Sequence, residues 1–130
     1  MTNLDFVCMQ CAQAMAAVPG KKSDKENLAT KSLGVLLENG PYGMILYLET
    51  QKNEVARRYS DHLLGLLRND MLQKCLPDVP PQYDFQAVIK WLQDAARDLG
   101  AYLFIKRLWQ QALTYARYHC KALRDAAENG

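Results

Sequence analysis

Apolar residues recur every three or four positions along most of the chain, which is the spacing of helices that bury one face. The pattern is clearest after Gly100. With 100° per residue and Lys106 set at zero, one set of apolar residues falls between about 200° and 300°. This set consists of Ile105, Leu108, Trp109, Ala112, Ala116 and Leu123. The segment is therefore predicted to form one strongly amphipathic helix.

Start and stop signals divide the rest of the chain into further helices. Ser23 and Glu26 have the spacing of a capping box, and three prolines between 77 and 81 predict the longest loop. The other predicted helices run from about 2 to 18, from Ser23 to Gly40, from Pro41 through Leu48, from Asn53 to about Gln73, and from Asp84 to the region of Gly100. No segment shows the pattern of a strand. The predicted fold class is an all-α, compact bundle of five or six helices.

Composition sets the broad class of the protein. A chain of 130 residues fits one helical domain spanning 1–130, with a core that needs no disulfides. The first five residues lack the basic start of a secretion signal, and no apolar run approaches the roughly 18 residues that a membrane span requires. These features predict a cytoplasmic protein without membrane contact. The net charge of +2 is small, so an electrostatic argument depends on where the charges lie.

Two cysteines have the CxxC spacing that is found in metal and redox sites. Cys8 and Cys11 nevertheless recur with Leu4, Val7 and Met15 on the apolar stripe of the first predicted helix. Free cysteine packs as a small hydrophobic residue, so core packing is the favoured interpretation. Metal or redox chemistry at this pair is the alternative, but neither a second CxxC nor an HxxxH follows. We expect no metal and no cofactor.

The sequence offers little catalytic chemistry. It contains no glycine-rich phosphate loop. Asp94 and Asp98 are four residues apart beside Arg97, which is typical of a solvated helix face. His119 falls at about 220° on the last helix, among apolar neighbours, where we expect a buried or half-buried structural histidine. The protein is therefore predicted not to be an enzyme, and no catalytic residue is assigned.

A run of 26 residues between Asp98 and Asp125 contains no acid. With Lys106 at zero, Arg124 falls at about 0°, Arg117 at about 20° and Lys121 at about 60°, so four cations form one stripe. Tyr118 borders it at about 120°, where a base could stack. Such a stripe suits a phosphate backbone, although many basic helix faces are simply solvated. The predicted nucleic-acid-binding residues are Lys106, Arg107, Arg117, Lys121, Arg124, Lys52, Arg57 and Arg58.

Three of these residues lie outside the last helix. Lys52, Arg57 and Arg58 form a secondary cluster, and Lys21, Lys22 and Lys25 form another. Both clusters would extend the stripe if the fold brought them together.

Several stretches of the sequence resemble one known family. They are 10–14 with an early Gln and small residues, the leucine-rich 33–40 with its glycine end, the apolar 44–48, the Tyr-x-x-x-Leu-Leu segment 59–64, and a final helix with Tyr102, Ala112, Leu113, Tyr115, Arg117, Tyr118 and Lys121. In these features the chain is similar to the small helical subunit of the type III-B CRISPR effector, the Cmr complex. The small subunits of the III-A and type I complexes are close neighbours of that family.

The resemblance implies a non-catalytic subunit that takes part in antiviral defence. Such a subunit stacks along the backbone of an RNA-guided complex and contacts other subunits, including copies of itself. It also contacts the guide RNA and the target RNA, while cleavage belongs to other subunits. An alternative from another class is a helical adaptor whose cationic face docks an acidic protein surface without nucleic acid.

Overall fold

A computed structural model of the protein describes residues 3–129, with side chains as far as residue 126. The protein is 79% helical, and the described residues contain five helices and no strand. The helices are α1 (Leu4–Ala16), α2 (Lys22–Gln51), α3 (Glu54–Leu66), α4 (Phe85–Ala95) and α5 (Leu99–Asn129), with a short 3₁₀ turn at Asp70–Leu72 between α3 and α4. The prediction of a compact all-α bundle is confirmed.

A sharp bend divides α2 at the glycine where the sequence predicted a helix end. Gly40 has φ 79° and ψ −177°, a conformation that is essentially restricted to glycine. Pro41 follows it and starts the second half, where the lack of an N–H costs little. Lys31 and Tyr47, one from each half, line a common cleft, so the two halves fold back toward each other. The predicted second and third helices are thus the halves of one bent element.

The capping signals had mixed outcomes. Asp84 caps α4 as predicted, since its side chain accepts a hydrogen bond from the backbone N–H group of Ala87 (3.1 Å). Asn53, where the sequence predicted only the start of a helix, caps α3 in the same way through the N–H group of Ala56 (2.8 Å). The predicted capping box at Ser23 is wrong. Helix α2 begins one residue earlier, after Lys21, without a side-chain cap. The physical reason is tertiary, because the carboxylate of Glu26 pairs with Arg124 of α5 instead of turning back to the helix start.

The core is built around α5, which packs mainly against α2 and α1. Trp109 is fully buried, and its indole N–H donates to the backbone oxygen of Leu63 in α3 (2.8 Å). The hydroxyl of Tyr59 donates to the backbone oxygen of Lys25 and so ties α3 to α2. The apolar positions predicted for α5 are buried, except that Leu123 is partly exposed.

Helices α1 and α2 flank α5 on opposite sides of its outward face. Asp5 of α1 accepts a hydrogen bond from Tyr115 on one side, and Glu26 of α2 contacts Arg124 on the other. Exposed side chains such as Leu103, Arg107 and Gln110 show that none of the described helices covers the face of α5 between these two contacts, which is turned outward. No helix in the described part of the chain is long and apolar enough to cross a membrane.

Candidate nucleic-acid interface

The outward face of α5 carries most of the predicted cations. It lies opposite the buried Ile105, Trp109 and Ala112, because residues half a helical turn away from them point to solvent. We call it the outer face and define it by Leu99, Leu103, Lys106, Arg107, Gln110, Thr114, Arg117, Tyr118 and Lys121. None of these nine side chains is acidic. The face therefore presents either positive charge or uncharged groups along its length.

Four cations of the outer face differ in how far they extend into solvent. Arg107 and Lys121 are exposed, whereas Lys106 and Arg117 are half-buried. Half-burial is typical of long cationic side chains, whose stems cover apolar surface while the charged end reaches water. Fourteen residues separate Arg107 from Lys121, which is about 21 Å along the helix axis. This length spans several phosphates of a nucleic-acid strand.

Tyr118 stands beside the cations with its ring in solvent. Its side chain is 58% exposed, and the guanidinium carbon of Arg117 lies 5.6 Å from the ring centroid. This is within the range of a cation–π contact. The contact holds a positive charge and an exposed aromatic ring together on one surface, which is the combination that single-stranded nucleic acids bind.

Arg124 lies at the end of the cation stripe but has acidic neighbours. One guanidinium nitrogen is 2.5 Å from the carboxylate of Glu26, and another is 3.3 Å from that of Asp125. The pair with Glu26 is mostly shielded, since the side chains are 33% and 15% exposed. Helical phasing placed Arg124 correctly in the stripe. It could not reveal a partner that comes from α2, 98 residues earlier in the sequence.

The cluster of Lys21, Lys22 and Lys25 is only partly available to a ligand. Lys25 is buried, and its Nζ donates to the backbone oxygens of Ala16 (2.6 Å) and Val18 (2.8 Å) at the end of α1. Its ammonium group therefore satisfies a helix terminus instead of reaching solvent. Lys22 is exposed, and its Nζ lies 3.4 Å from the backbone oxygen of Leu123. Of this cluster, Lys22 is the lysine shown to lie against α5.

The other secondary cluster, which consists of Lys52, Arg57 and Arg58, lies at the junction of α2 and α3. Lys52 and Arg57 line a cleft of about 290 Å³ together with Glu49 and Glu54. Glu54 accepts hydrogen bonds from Arg57 (2.7 Å) and from Arg58 (2.9 Å). These bonds lower the pKa of Glu54 to about 2. The two arginines are thus paired with a carboxylate in their own helix, and this cluster differs in charge balance from the outer face.

Two exposed leucines on the outer face were missed by the sequence reasoning. Leu99 is 68% exposed and Leu103 is 51% exposed, and they lie about two turns and one turn before Lys106, respectively. The same phasing that aligned the cations places Leu99 at about 20° and Leu103 at about 60°, so the signal was present. The expectation for His119 was wrong, because its side chain is exposed.

The two cysteines of the CxxC spacing pack in the core, as predicted. Cys8 and Cys11 donate to the backbone oxygens of Leu108 (3.7 Å) and His62 (3.4 Å). Burial raises the pKa of Cys8 to about 11 and that of Cys11 to about 12. Both thiols therefore stay protonated at neutral pH, which makes them poor metal ligands and nucleophiles. Among the described residues, no group of three or more His, Cys, Asp or Glu side chains is placed to hold a metal ion.

The outer face is thus a helical surface with four cations, an exposed tyrosine and two leucines. Comparison of the chain with protein-family models, curated proteins and solved structures gives no match. The geometry and charge of this face are therefore the basis for a functional assignment.

Proposed function

We propose that the protein is a non-catalytic, RNA-binding subunit of an RNA-guided effector, of the kind formed by the small helical subunit of the type III-B CRISPR (Cmr) complex. One observation carries this proposal: Lys106, Arg107, Arg117 and Lys121 share one helical face that has no acid on it. The sequence resemblance supports the place in the complex. The partners would be the guide and target RNA and the other subunits, including further copies of the chain.

The arrangement of the cations favours contact with a phosphate backbone over recognition of a base sequence. Charges spread over about 21 Å of a rigid helix follow a strand, and backbone neutralisation is independent of sequence. In an RNA-guided complex, base pairing with the guide supplies the specificity, so a subunit that reads only the backbone suffices. Arg124 contributes less in this proposal because Glu26 already offsets its charge.

A salt titration of single-stranded RNA binding tests the proposal. Neutralisation of four phosphates gives a slope of log K against log salt of about −3, since each contact on a single strand contributes about −0.7. Replacing Arg117 and Lys121 together by alanine should reduce the slope to about −1.4. The matched control is Lys74→Ala with Lys90→Ala, which removes two exposed lysines outside α5. Equal slopes for the two double variants would contradict the assignment.

Membership of an RNA-guided complex needs a separate test in cells. The tagged full-length chain, purified at low salt from its native host, should bring down a short guide RNA with the other subunits. The Arg117→Ala, Lys121→Ala double variant should bring down less RNA per copy of the protein. Recovery of an RNA-free assembly with an acidic protein would instead support the adaptor alternative.

The exposed leucines favour that second candidate, a helical adaptor. Leu99 and Leu103 lie on the same face as the cations, and an acidic partner with apolar side chains would match both features. Replacing both leucines by glutamine should weaken the binding of such a protein partner and leave the salt slope of RNA binding unchanged. This pair of measurements separates the two candidates.

A further inference from the structure

A small cleft separates α1 from α5 at one border of the outer face. It has a volume of about 260 Å³ and is lined by Leu4, Asp5, Cys8, Phe104, Arg107, Leu108 and Gln111. We call it the α1–α5 cleft. Ligand pockets for drug-sized molecules usually begin near about 300 Å³, so this cleft suits something smaller, such as a single flat ring. Leu4, Phe104 and Leu108 give it apolar walls.

The carboxylate of Asp5, which lines the cleft, is held in a fixed position by two hydrogen bonds. Asp5 Oδ1 accepts hydrogen bonds from the hydroxyl of Tyr115 (2.7 Å) and from the side-chain amide of Gln111 (3.2 Å). The bond to Asp5 raises the pKa of Tyr115, so the phenol remains a donor. No donor among the described side chains bonds the other oxygen, Oδ2. Asp5 lines the cleft and keeps one carboxylate oxygen that can accept N–H groups from a ligand.

The remaining side chains define which ligand fits. The thiol of Cys8 is protonated at neutral pH and is bonded to the backbone of Leu108, so it acts as part of an apolar wall. Arg107 belongs both to the outer face and to the lining of the cleft, which places a phosphate-binding cation where the two meet. A carboxylate inside the cleft disfavours a phosphate there. The combination favours a ring with N–H donors that is attached to an anionic backbone.

We propose that the α1–α5 cleft binds one unstacked RNA base that carries an exocyclic amino group, while Arg107 holds the adjacent phosphate. The inference rests on the proposed function, because it places the base beside RNA that runs along the outer face. Cytosine presents an amino group that a carboxylate accepts, and this pairing is known from base recognition. Uracil has the same size, but the oxygen that replaces this amino group would face Asp5 and be repelled. The cleft thus prefers cytosine to uracil.

The matched probes are two RNA oligomers, one of twelve uridines and one in which a single central uridine is replaced by cytidine. Binding to the full-length protein is measured by fluorescence anisotropy at several salt concentrations. Loss of one charged hydrogen bond corresponds to roughly tenfold in affinity, so we expect the cytidine oligomer to bind about tenfold more tightly. The salt slopes of the two oligomers should be equal, since both carry the same phosphates.

Two variants assign this preference to the cleft. Asp5→Asn replaces an acceptor-only group by one that also donates, so the preference should fall to within about twofold while the salt slope is kept. Phe104→Ala removes an apolar wall without a change of charge and should also reduce the preference. Asp61→Asn makes the same charge change at an exposed position of α3 and should leave the preference at about tenfold. Circular dichroism establishes that each variant is folded.

The outcomes separate this inference from the proposed function. Equal affinity of the wild-type protein for both oligomers, with the expected salt slope, overturns the base pocket and leaves RNA binding in place. A preference that persists in both Asp5→Asn and Phe104→Ala also overturns it, since the base would then bind elsewhere. Failure of the wild-type protein to bind either oligomer overturns both the pocket and the proposed function.

Discussion

The hydroxyl of Tyr102 accepts a hydrogen bond of 3.1 Å from the backbone N–H of Tyr42, and so joins α5 to the bend of α2. Tyr42 lies in the first turn after the bend, where backbone N–H groups have no partner within the helix. A side chain from another helix thus does the work of a capping residue. The bond also fixes the start of α5, and with it the outer face, relative to the bend in α2.

Removal of this hydroxyl should destabilise the fold. Tyr102→Phe leaves the N–H of Tyr42 without its protein partner in a half-buried place, so the free energy of unfolding should fall by about 1 kcal/mol. Urea denaturation followed by circular dichroism measures the change. The control is Tyr47→Phe, because the hydroxyl of this half-buried tyrosine makes no hydrogen bond to the described part of the chain. Equal effects of the two substitutions would mean that the bond does not stabilise the bend.

Two glycines of α2 should respond to alanine with opposite signs. At Gly40, φ is 79°, a backbone conformation that strains any residue with a side chain, so Gly40→Ala should destabilise the protein by about 1 to 3 kcal/mol. Gly34 is helical and exposed, and apart from its chain neighbours and its own helix backbone nothing lies within 4 Å of an added methyl group. Gly34→Ala should stabilise the protein by about 0.5 to 1 kcal/mol. Thermal and urea unfolding of both variants would show whether the signs differ.

The buried Lys25 should be a stabilising residue and not a binding residue. Lys25→Met keeps most of the apolar stem but removes the two hydrogen bonds to the carbonyl groups of Ala16 and Val18. Unpaired buried carbonyls cost about 1 to 3 kcal/mol, and the free energy of unfolding should fall by that amount. Lys31→Met, at an exposed position of the same helix, should change it by less than about 0.5 kcal/mol. RNA affinity should be equal in these two variants, and a selective loss with Lys25→Met would show that its ammonium group reaches the ligand.

The sequence predicted best those features that depend on neighbours along the chain. Apolar spacing identified the helices because each buried face repeats within one element, and the cap at Asp84 was predicted because it bonds three residues ahead. The helix break at Gly40 was visible for the same reason. The outer face was also predictable, since phasing along a single helix aligns its cations.

Features that depend on residues distant in the sequence could not be predicted from local patterns along the chain. Ser23 and Glu26 have the right spacing for a capping box, but Arg124 competes for the carboxylate across 98 residues. Lys25 was expected to be a surface cation, but in the fold its ammonium group binds backbone oxygens at the end of α1. The α1–α5 cleft likewise has walls from both ends of the chain, so no local pattern marks it.

The buried thiols should make the protein less stable at alkaline pH. Burial raises the pKa of Cys8 from its usual value of about 9 to about 11, and that of Cys11 to about 12. Above pH 9 the thiols ionise in the unfolded chain but remain protonated in the folded one. The unfolded state then binds fewer protons, so the free energy of unfolding falls as pH rises. Between pH 9 and its folded pKa, each thiol should contribute a decrease of at most about 1.4 kcal/mol per pH unit, a slope that is reached only in the middle of this range.

A comparison of variants isolates the contribution of one thiol from that of all other groups that titrate in this range. Urea unfolding of wild type and Cys11→Ala is measured at pH 8, 9, 10 and 11 under reducing conditions. Cys11→Ala lowers the free energy of unfolding at pH 8, because it removes a buried sulfur, but its further decrease above pH 9 should be shallower by at most about 1.4 kcal/mol per pH unit. Cys75→Ser removes an exposed thiol and should leave the wild-type decrease unchanged. Parallel curves for wild type and Cys11→Ala would mean that Cys11 ionises as readily in the folded protein as in the unfolded chain, and that its side chain is not sealed in the core.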